Sequence, residues 1–213
     1  MKIGVIRVVT TADHDDLNAH GRVIEDELGA ATVSRCIPGQ PRGVHDAPSF
    51  DLAAGKVADL AVRMEREDAV DALLISCAAD PGLDLARDRV RIPVIGAGSA
   101  AAARALELGE RVGVLDLTAD TPQSVTSVLD GRRVAALVPE GVTQTHHLRT
   151  DSGRAASVRA AHRLIAMGAD TIMFACTGMT TIGLAALLRA RVEVPIVDAV
   201  RAGGAAAVAA ARA

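Results

Sequence analysis

The sequence predicts an α/β protein with mainly parallel sheets, built from two similar halves. Three observations support this prediction. Apolar runs of strand length, rich in Val and Ile, recur without polar alternation, as expected of parallel strands that are buried on both faces. Segments with helical periodicity separate these runs, and three landmarks of the first half return in the same order in the second half.

The predicted strands are the apolar runs that lie between turn or helix signals. In chain order they are residues 3–9, 72–77, 93–96, 111–117, 171–176 and 195–200. Each run is too short for a typical helix and contains β-branched residues, which favours a strand.

The predicted helices have recognisable start and stop signals. Val57, Leu60, Ala61 and Met64 form one apolar stripe at helical spacing. Capping residues define three more helices, which begin at Ser99, at Thr121 with Pro122, and at Ser152, and end at Gly109, Gly131 and Gly168. Asp80 with Pro81, and Thr177 with Gly178, are predicted to open helices directly after two cysteines.

The two halves resemble each other at three places, roughly a hundred residues apart in each case. "IGVIRVVTTAD" matches "RVGVLDLTADT", "DALLISC" matches "DTIMFAC", and "RIPVIGAGSAAAA" matches "EVPIVDAVRAGGAAAV". We therefore expect one α/β half at residues 1–98 and a second at 99–200. The C-terminal helix, residues 201–213, is expected to pack back on the first half.

Composition excludes several classes of partner. The net charge is −3, no basic stripe is present, and aromatic residues make up 1% of the chain, which argues against nucleic acid binding. The N-terminal "MKIGVIRVV" lacks the features of a signal peptide, and the charge-free runs are too short to span a bilayer. We expect a cytoplasmic protein that binds a small-molecule substrate and contacts no membrane.

Cys77 and Cys176 end matched apolar runs of the two halves. Ligands of parallel sheets bind beyond the carboxyl ends of the strands, so the two thiols are predicted to face each other across a cleft between the halves. One thiolate would remove a proton from a carbon while the opposite thiol returns one, which inverts the carbon without a cofactor or a metal. Helix N-termini after both cysteines would favour the thiolate and hold a substrate carbonyl.

The alternative reading of each candidate is structural. A single cysteine at a strand end is most often a small buried hydrophobe, whereas two at matched positions favour function. Cys36 has no counterpart in the second half and is interpreted as structural or incidental, and the three cysteines lack zinc-site spacing. His146 and His147 fall in a polar loop that favours a surface role over a lid or proton relay. Thr118 and Thr121 are equally compatible with turn formation and with a place at the mouth of the cleft.

The chain resembles the Asp/Glu/hydantoin racemase superfamily, and within it the hydantoin racemase branch. The resemblance covers nearly the whole chain and rests on "SCAADPGL", "PVIGAGSAA", "GVLDLTADT", "CTGM" and "PIVDAV". It implies two Rossmann-like halves related by a pseudo-twofold axis, with an active site in the cleft between them, and racemisation without a cofactor.

By this resemblance Cys77 and Cys176 match the catalytic acid/base pair. The residues that match substrate-binding positions are Thr10, Ala78, Ala79, Thr118, Thr121, Thr177 and Gly178. Hydantoin racemases commonly have Asn-Pro-Asn where this chain has the Thr10 segment, a bulky residue at Ala78, and often Glu at Ser99. Aspartate and glutamate racemases commonly have Asn-Thr after the first cysteine and Thr-His after the second, so neither branch fits fully.

Small, mostly uncharged residues flank both cysteines, which favours a cyclic or neutral substrate such as a 5-substituted hydantoin. The alternatives are an aspartate/glutamate-type racemase, a maleate-isomerase-like or malonate-decarboxylase-like enzyme, and a non-catalytic binding protein on the same scaffold. The Ala-rich segment 205–211 favours close helix packing between subunits, so we expect a homo-oligomer.

Overall fold

The computed structural model describes residues 1–213, with the exception of the side chains of Thr145 and His146. The chain divides into two compact units. The first unit contains residues 1–97 and 200–213, and the second contains residues 98–199.

The first unit is a four-stranded parallel sheet in the order β2-β1-β3-β4, with helices packed against it. Its strands are β1 (Lys2–Arg7), β2 (Ala31–Cys36), β3 (Ala72–Ser76) and β4 (Val94–Gly96). Its helices are α1 (His14–Leu28), α2 (Ala47–Glu67), α3 (Leu83–Arg87) and α9 (Ala199–Ala210).

Helix α2 forms the core of the first unit with one face of the sheet. Asp46 and Ser49 form a reciprocal capping box at its N-terminus, which satisfies two backbone donors. The predicted stripe of Val57, Leu60, Ala61 and Met64 is fully buried against side chains of β1 and β3. The sequence prediction of this helix and of its buried face is confirmed.

Helix α9 packs closely on α1 and β3 through two glycines. A Cβ on Gly203 would lie 2.6 Å from the Leu74 Cδ1 atom, and one on Gly204 would lie 2.7 Å from Ile24 Cγ1. An ion pair of 2.7 Å between Arg201 and Glu27 reinforces this contact. The small side chains of this segment therefore serve packing within the first unit.

The second unit repeats the topology of the first, with the parallel order β6-β5-β7-β8. Its strands are β5 (Val112–Leu115), β6 (Arg133–Leu137), β7 (Thr171–Phe174) and β8 (Ile196–Val197). Its helices are α4 (Ala97–Leu108), which begins in the first unit, α5 (Gln123–Leu129), α6 (Asp151–Ala166), α7 (Gly178–Thr181) and α8 (Leu184–Arg189), and a 3₁₀ turn spans Thr145–Arg149. The predicted fold class, two similar α/β halves with parallel sheets, is confirmed.

Several local predictions differ from the structure. The sequence analysis missed the edge strands β2 and β6, whose residues are partly exposed. Polar residues interrupt β2, whereas β6 is a short apolar run that begins at an arginine and contains two alanines. Helix α4 begins at Ala97 rather than after Ser99. Thr150, not Ser152, caps α6, because its side chain accepts a hydrogen bond from the Gly153 amide at 3.0 Å. Within the described part of the chain, the helices fall short of the length and apolar character needed to cross a bilayer.

Candidate functional site

Both sheets reverse their strand order between the two central strands, at β1/β3 in the first unit and at β5/β7 in the second. This switch point is where open parallel sheets bind ligands. Ile75 pairs with Ile6, and Phe174 pairs with Leu115, in the same register of the two sheets. Each cysteine, Cys77 or Cys176, comes two residues later. The topology therefore gives both cysteines the same place, at the carboxyl end of a central strand.

Cys77 begins a tight turn. The Asp80 amide donates a hydrogen bond to the Cys77 carbonyl at 3.0 Å, and Asp80 has a left-handed backbone with φ 50°. Cys77 and Ala79 are partly exposed, whereas Ala78 and Asp80 are buried. The prediction that Asp80 and Pro81 open a helix here is wrong, because α3 begins only at Leu83, after Gly82.

The Asp80 carboxylate lies directly against the end of β4. A Cβ on Gly96 would be 2.3 Å from its Cγ and Oδ2 atoms, and Asp80 is 5% exposed. Only glycine leaves room for this carboxylate, so Gly96 and Asp80 together fix the turn that carries Cys77.

A buried polar layer supports β1 and β3 behind Cys77. The Nδ1 atom of His20 is 2.7 Å from the hydroxyl of Ser76, and both residues are buried. The guanidinium of Arg7, also buried, donates to the carbonyls of Asp16 and Leu17 on α1. The sequence analysis missed this layer, although a charged residue inside an apolar run was a signal for it.

The Thr10 hydroxyl organises the loop after β1. It donates to the Ile37 carbonyl at 2.6 Å and accepts from the Gln40 amide at 2.7 Å. Its proton is therefore used inside the loop, and a role of Thr10 in substrate binding remains a prediction.

Cys176 precedes α7, and the prediction that Thr177 and Gly178 open a helix is confirmed. The backbone amides of Gly178 and Met179 donate hydrogen bonds to the Cys176 sulfur and lower its pKa, but burial outweighs them and raises the pKa of this thiol to about 11. The helix start thus favours the thiolate of Cys176 as expected, but the net pKa is raised, because removal from water disfavours the charged form more strongly.

A buried carboxylate, Asp116, lies at the end of β5 in the same unit and is 1% exposed. Its Oδ1 atom accepts hydrogen bonds from the Leu117 amide at 2.8 Å and the Thr118 amide at 3.3 Å. Its Oδ2 atom is buried without a hydrogen-bond partner among the described atoms. Burial raises the pKa of Asp116, and its charge in turn raises the pKa of the Cys176 thiol.

The two predicted threonines lie beside this carboxylate. The Thr118 hydroxyl donates to the Asp120 carbonyl at 2.9 Å and lies 3.4 Å from Asp116 Oδ1. The Thr121 hydroxyl is close enough to lower the pKa of Asp116, but it is buried and lacks a hydrogen bond of good geometry within the described structure. Both residues thus surround Asp116, and their contact with a substrate remains a prediction.

At the end of β8 the hydroxyl of Thr180 donates to the buried Asp198 carboxylate at 2.8 Å. This bond ties α7 to the last strand. Earlier in the chain, Nδ1 of His147 accepts a hydrogen bond from the Thr143 amide at 3.2 Å, while the side chain of His146 lies outside the described residues. Among the described side chains, no three His, Cys, Asp or Glu residues are grouped as metal ligands.

Comparison with known proteins identifies a protein family whose model matches this chain. The family model described as Asp/Glu/hydantoin racemase matches residues 19–207. A hydantoin racemase of Paenarthrobacter aurescens is 27% identical over 165 residues, which cover 72% of this chain and 68% of that protein. An uncharacterised protein of Schizosaccharomyces pombe is 32% identical over 143 residues, 63% of this chain and 60% of the relative. The chain thus aligns with less than two thirds of the length of the yeast relative.

Among solved structures, the allantoin racemase from Klebsiella pneumoniae superimposes with a TM-score of 0.85 and 24% identity, and the match covers 98% of this chain and 86% of the other. At this identity the likeness shows a shared fold.

Proposed function

The chain belongs to the Asp/Glu/hydantoin racemase family, and on that premise we propose that it inverts a carbon next to a carbonyl without a cofactor. Cys77 and Cys176 act as the acid/base pair, and a 5-substituted hydantoin or a related cyclic ureide is the substrate.

The matched placement of the two cysteines carries this proposal. Each follows a central strand of its sheet at the same register, and each is partly exposed at the switch point. Cys36, the third cysteine, ends the edge strand β2, where its thiol lies 3.7 Å from the Thr11 carbonyl. A structural need for cysteine alone gives no reason for the same residue at two equivalent ligand-binding positions.

The proposed reaction is two proton transfers that balance. A thiolate removes the proton from the substrate carbon, and the electron pair moves toward the adjacent carbonyl as an enolate. The opposite thiol then donates its proton to the other face of that carbon. The substrate emerges with inverted configuration and the same atoms, and the enzyme holds its one exchangeable proton on the other sulfur.

The charge around Cys176 supports a neutral substrate. Asp116 is buried near this sulfur, and its ionised form would repel a substrate carboxylate. A hydantoin carries no carboxylate, and its ring carbonyls delocalise the charge that forms when the proton leaves. An aspartate or glutamate substrate would need compensating positive charge at the same place.

The test is loss of the substrate proton in D₂O, followed by NMR together with optical rotation. The panel contains single enantiomers of 5-substituted hydantoins and allantoin, with L-aspartate, L-glutamate and maleate as the alternative substrates. We expect exchange and loss of rotation on the cyclic ureides and neither on the amino acids.

Cys77→Ala and Cys176→Ala are each expected to abolish racemisation, and Cys36→Ala is the matched control that keeps it. Full activity of either of the first two variants would refute the two-thiol mechanism. Isomerisation of maleate alone would move the assignment to a maleate-isomerase-like enzyme. Absence of any turnover, with tight ligand binding, would favour a binding protein on this scaffold.

A further inference from the structure

Gln40 is a buried amide in the loop after β2, and both ends of its side chain have partners. Its Nε2 atom donates to the Ser49 carbonyl at 2.7 Å and to the Gly43 carbonyl at 3.3 Å. Its Oε1 atom accepts from the Lys56 ammonium at 3.3 Å. Donors and acceptors therefore match throughout. Because Ser49 and Lys56 belong to α2, the side chain connects this loop to that helix.

The backbone of Gln40 holds the loop after β1 at the same time. Its amide donates to the Thr10 hydroxyl at 2.7 Å, and its carbonyl accepts from the Thr10 amide at 3.1 Å. The Thr10 hydroxyl in turn donates to the Ile37 carbonyl at 2.6 Å. A continuous chain of hydrogen bonds thus runs from α2 through Gln40 to Thr10, and it joins the loops that follow two neighbouring strands.

The loop after β1 lies beside the turn of Cys77. Arg7, the last residue of β1, pairs with Ser76 of β3, so the residues that follow them emerge side by side at the carboxyl edge of the sheet. Val8 belongs to the apolar cluster that α2 forms with the sheet, and Cys77 packs against the same cluster. This edge, at the switch point, is where open parallel sheets bind ligands.

The second unit builds the same sheet without this arrangement. Counted from the matched strand pairs, Ala119 takes the place of Thr10, and Val142 takes the place of Gln40. Val142 is buried in the apolar core of that unit. The fold therefore does not require a polar residue here, and an apolar one fills the place without any polar group to satisfy. A buried glutamine in one half alone indicates a role that is specific to that half.

We propose that Gln40 is a positioning residue of the substrate site: it anchors the loop that contains Thr10 to α2, and this loop forms the side of the site next to Cys77. The inference rests on the proposed racemase function. Thr10 then contributes to the site through the shape of its loop, since its hydroxyl proton is used on the Ile37 carbonyl.

Hydrogen–deuterium exchange, measured by mass spectrometry on the whole chain, tests the anchor. Gln40→Met keeps the length of the side chain and removes its hydrogen bonds. Peptides that cover residues 8–12 should then exchange about tenfold faster than in the wild type, the size expected when a buried hydrogen bond is lost. Gln40→Glu keeps an oxygen for Lys56 but removes the donor to Ser49. It should also raise the exchange rate, and it keeps the test informative if methionine disturbs folding.

Gln123→Met is the matched control, because Gln123 is exposed at the start of α5. It should leave the exchange of residues 8–12 unchanged. Lys56→Met removes only the partly exposed cation from Oε1 of Gln40, so it should have a smaller effect than Gln40→Met.

Kinetics on the best substrate test the role in binding. A loop that contacts the substrate equally in the ground state and the transition state affects KM, so Gln40→Met should raise KM about tenfold and leave kcat within about twofold. A variant that had only lost part of its folded fraction would instead show a lower apparent kcat at an unchanged KM.

Unchanged exchange of residues 8–12 in both Gln40 variants would overturn the inference, and so would faster exchange with an unchanged KM. A wild type without turnover on any substrate of the panel would refute the proposed racemase function, and with it the substrate role of this loop. The exchange result would still show whether Gln40 anchors the loop, so the two failures are distinguishable.

Discussion

Gly82→Ala is expected to be among the most damaging single-methyl additions in the first unit. Gly82 ends the turn that begins at Cys77 and has φ 70°. A Cβ at this position would lie 2.3 Å from the Ala54 carbonyl oxygen and 2.9 Å from its carbon and Cα atoms. These atoms belong to the backbone of α2, so no side-chain rotation relieves the contact.

The expected cost has two parts. A left-handed backbone costs alanine about 1–2 kcal/mol relative to glycine. Forcing α2 away from the turn adds about 1–3 kcal/mol, as for other insertions into packed interiors. The free energy of unfolding should therefore fall by about 2–5 kcal/mol, and the turn that carries Cys77 should move with it.

Gly29→Ala separates the two parts, because Gly29 has a similar φ of 65° and no atom within 4 Å of its would-be Cβ. It should lose only about 1–2 kcal/mol. Urea unfolding followed by circular dichroism measures both variants, and proton exchange on the best substrate measures the effect on Cys77. Equal losses of stability in the two variants would show that the Ala54 contact is not restrictive and would refute the reasoning.

Three further predictions each concern a single residue. Gly55→Ala should raise the free energy of unfolding by about 0.5–1 kcal/mol, because Gly55 lies at an exposed position inside α2 and its added Cβ would have no atom within 4 Å. A lower free energy of unfolding in urea would contradict this prediction. Thr180→Val should lower the free energy of unfolding by about 1.5–3 kcal/mol, because it removes the buried hydroxyl that donates to Asp198. An unchanged value in the same assay would show that this hydrogen bond does not stabilise the fold. The pKa of Cys176 is raised from 9.0 to about 11 in the folded state, so its contribution to stability is complete below pH 9.0 and is lost as the pH rises toward 11. Urea unfolding across this pH range should show a fall in the free energy of unfolding, and Cys176→Ala should make that fall smaller. The chain has no tyrosine whose own titration would add to the change.

The sequence predicted the fold wherever burial was complete. β1, β3, β5 and β7 are central strands, so their residues are apolar on both faces and their pattern is continuous. The edge strand β2 mixes polar and apolar residues because one side of it meets solvent, and this mixture hid it. β6 is apolar after Arg133, but its two alanines give a weak strand signal.

The location of both cysteines was also predictable, because a residue at the end of an apolar run lies at the carboxyl edge of a parallel sheet. Their electrostatics were not. The sequence shows that a helix follows Cys176, but the balance between its amides and the loss of water depends on the packing of the whole unit.

Asp116 was visible in "GVLDLTADT" and still escaped attention, because a single acid at a strand end is usually exposed. Its significance appears only when the registers of the two sheets are compared. Arg7 follows Ile6, and Asp116 follows Leu115, so the two units carry opposite charges at one equivalent buried position. The sequence match of the halves did not place these two residues opposite each other, and it gave no measure of their burial.

The contacts that join the turn after each cysteine to the last strand of its sheet have a consequence for protein engineering. In the first unit the carboxylate belongs to the turn, as Asp80, and glycine ends the strand. In the second unit the carboxylate ends the strand, as Asp198, and the hydroxyl of Thr180 comes from the helix beside it. A chimera that combined the first turn with the second strand would bring two carboxylates together, and the reverse chimera would have none. The turn after the cysteine and the last strand can therefore be exchanged between the halves only together. A designed protein with two identical halves must take both segments from the same half.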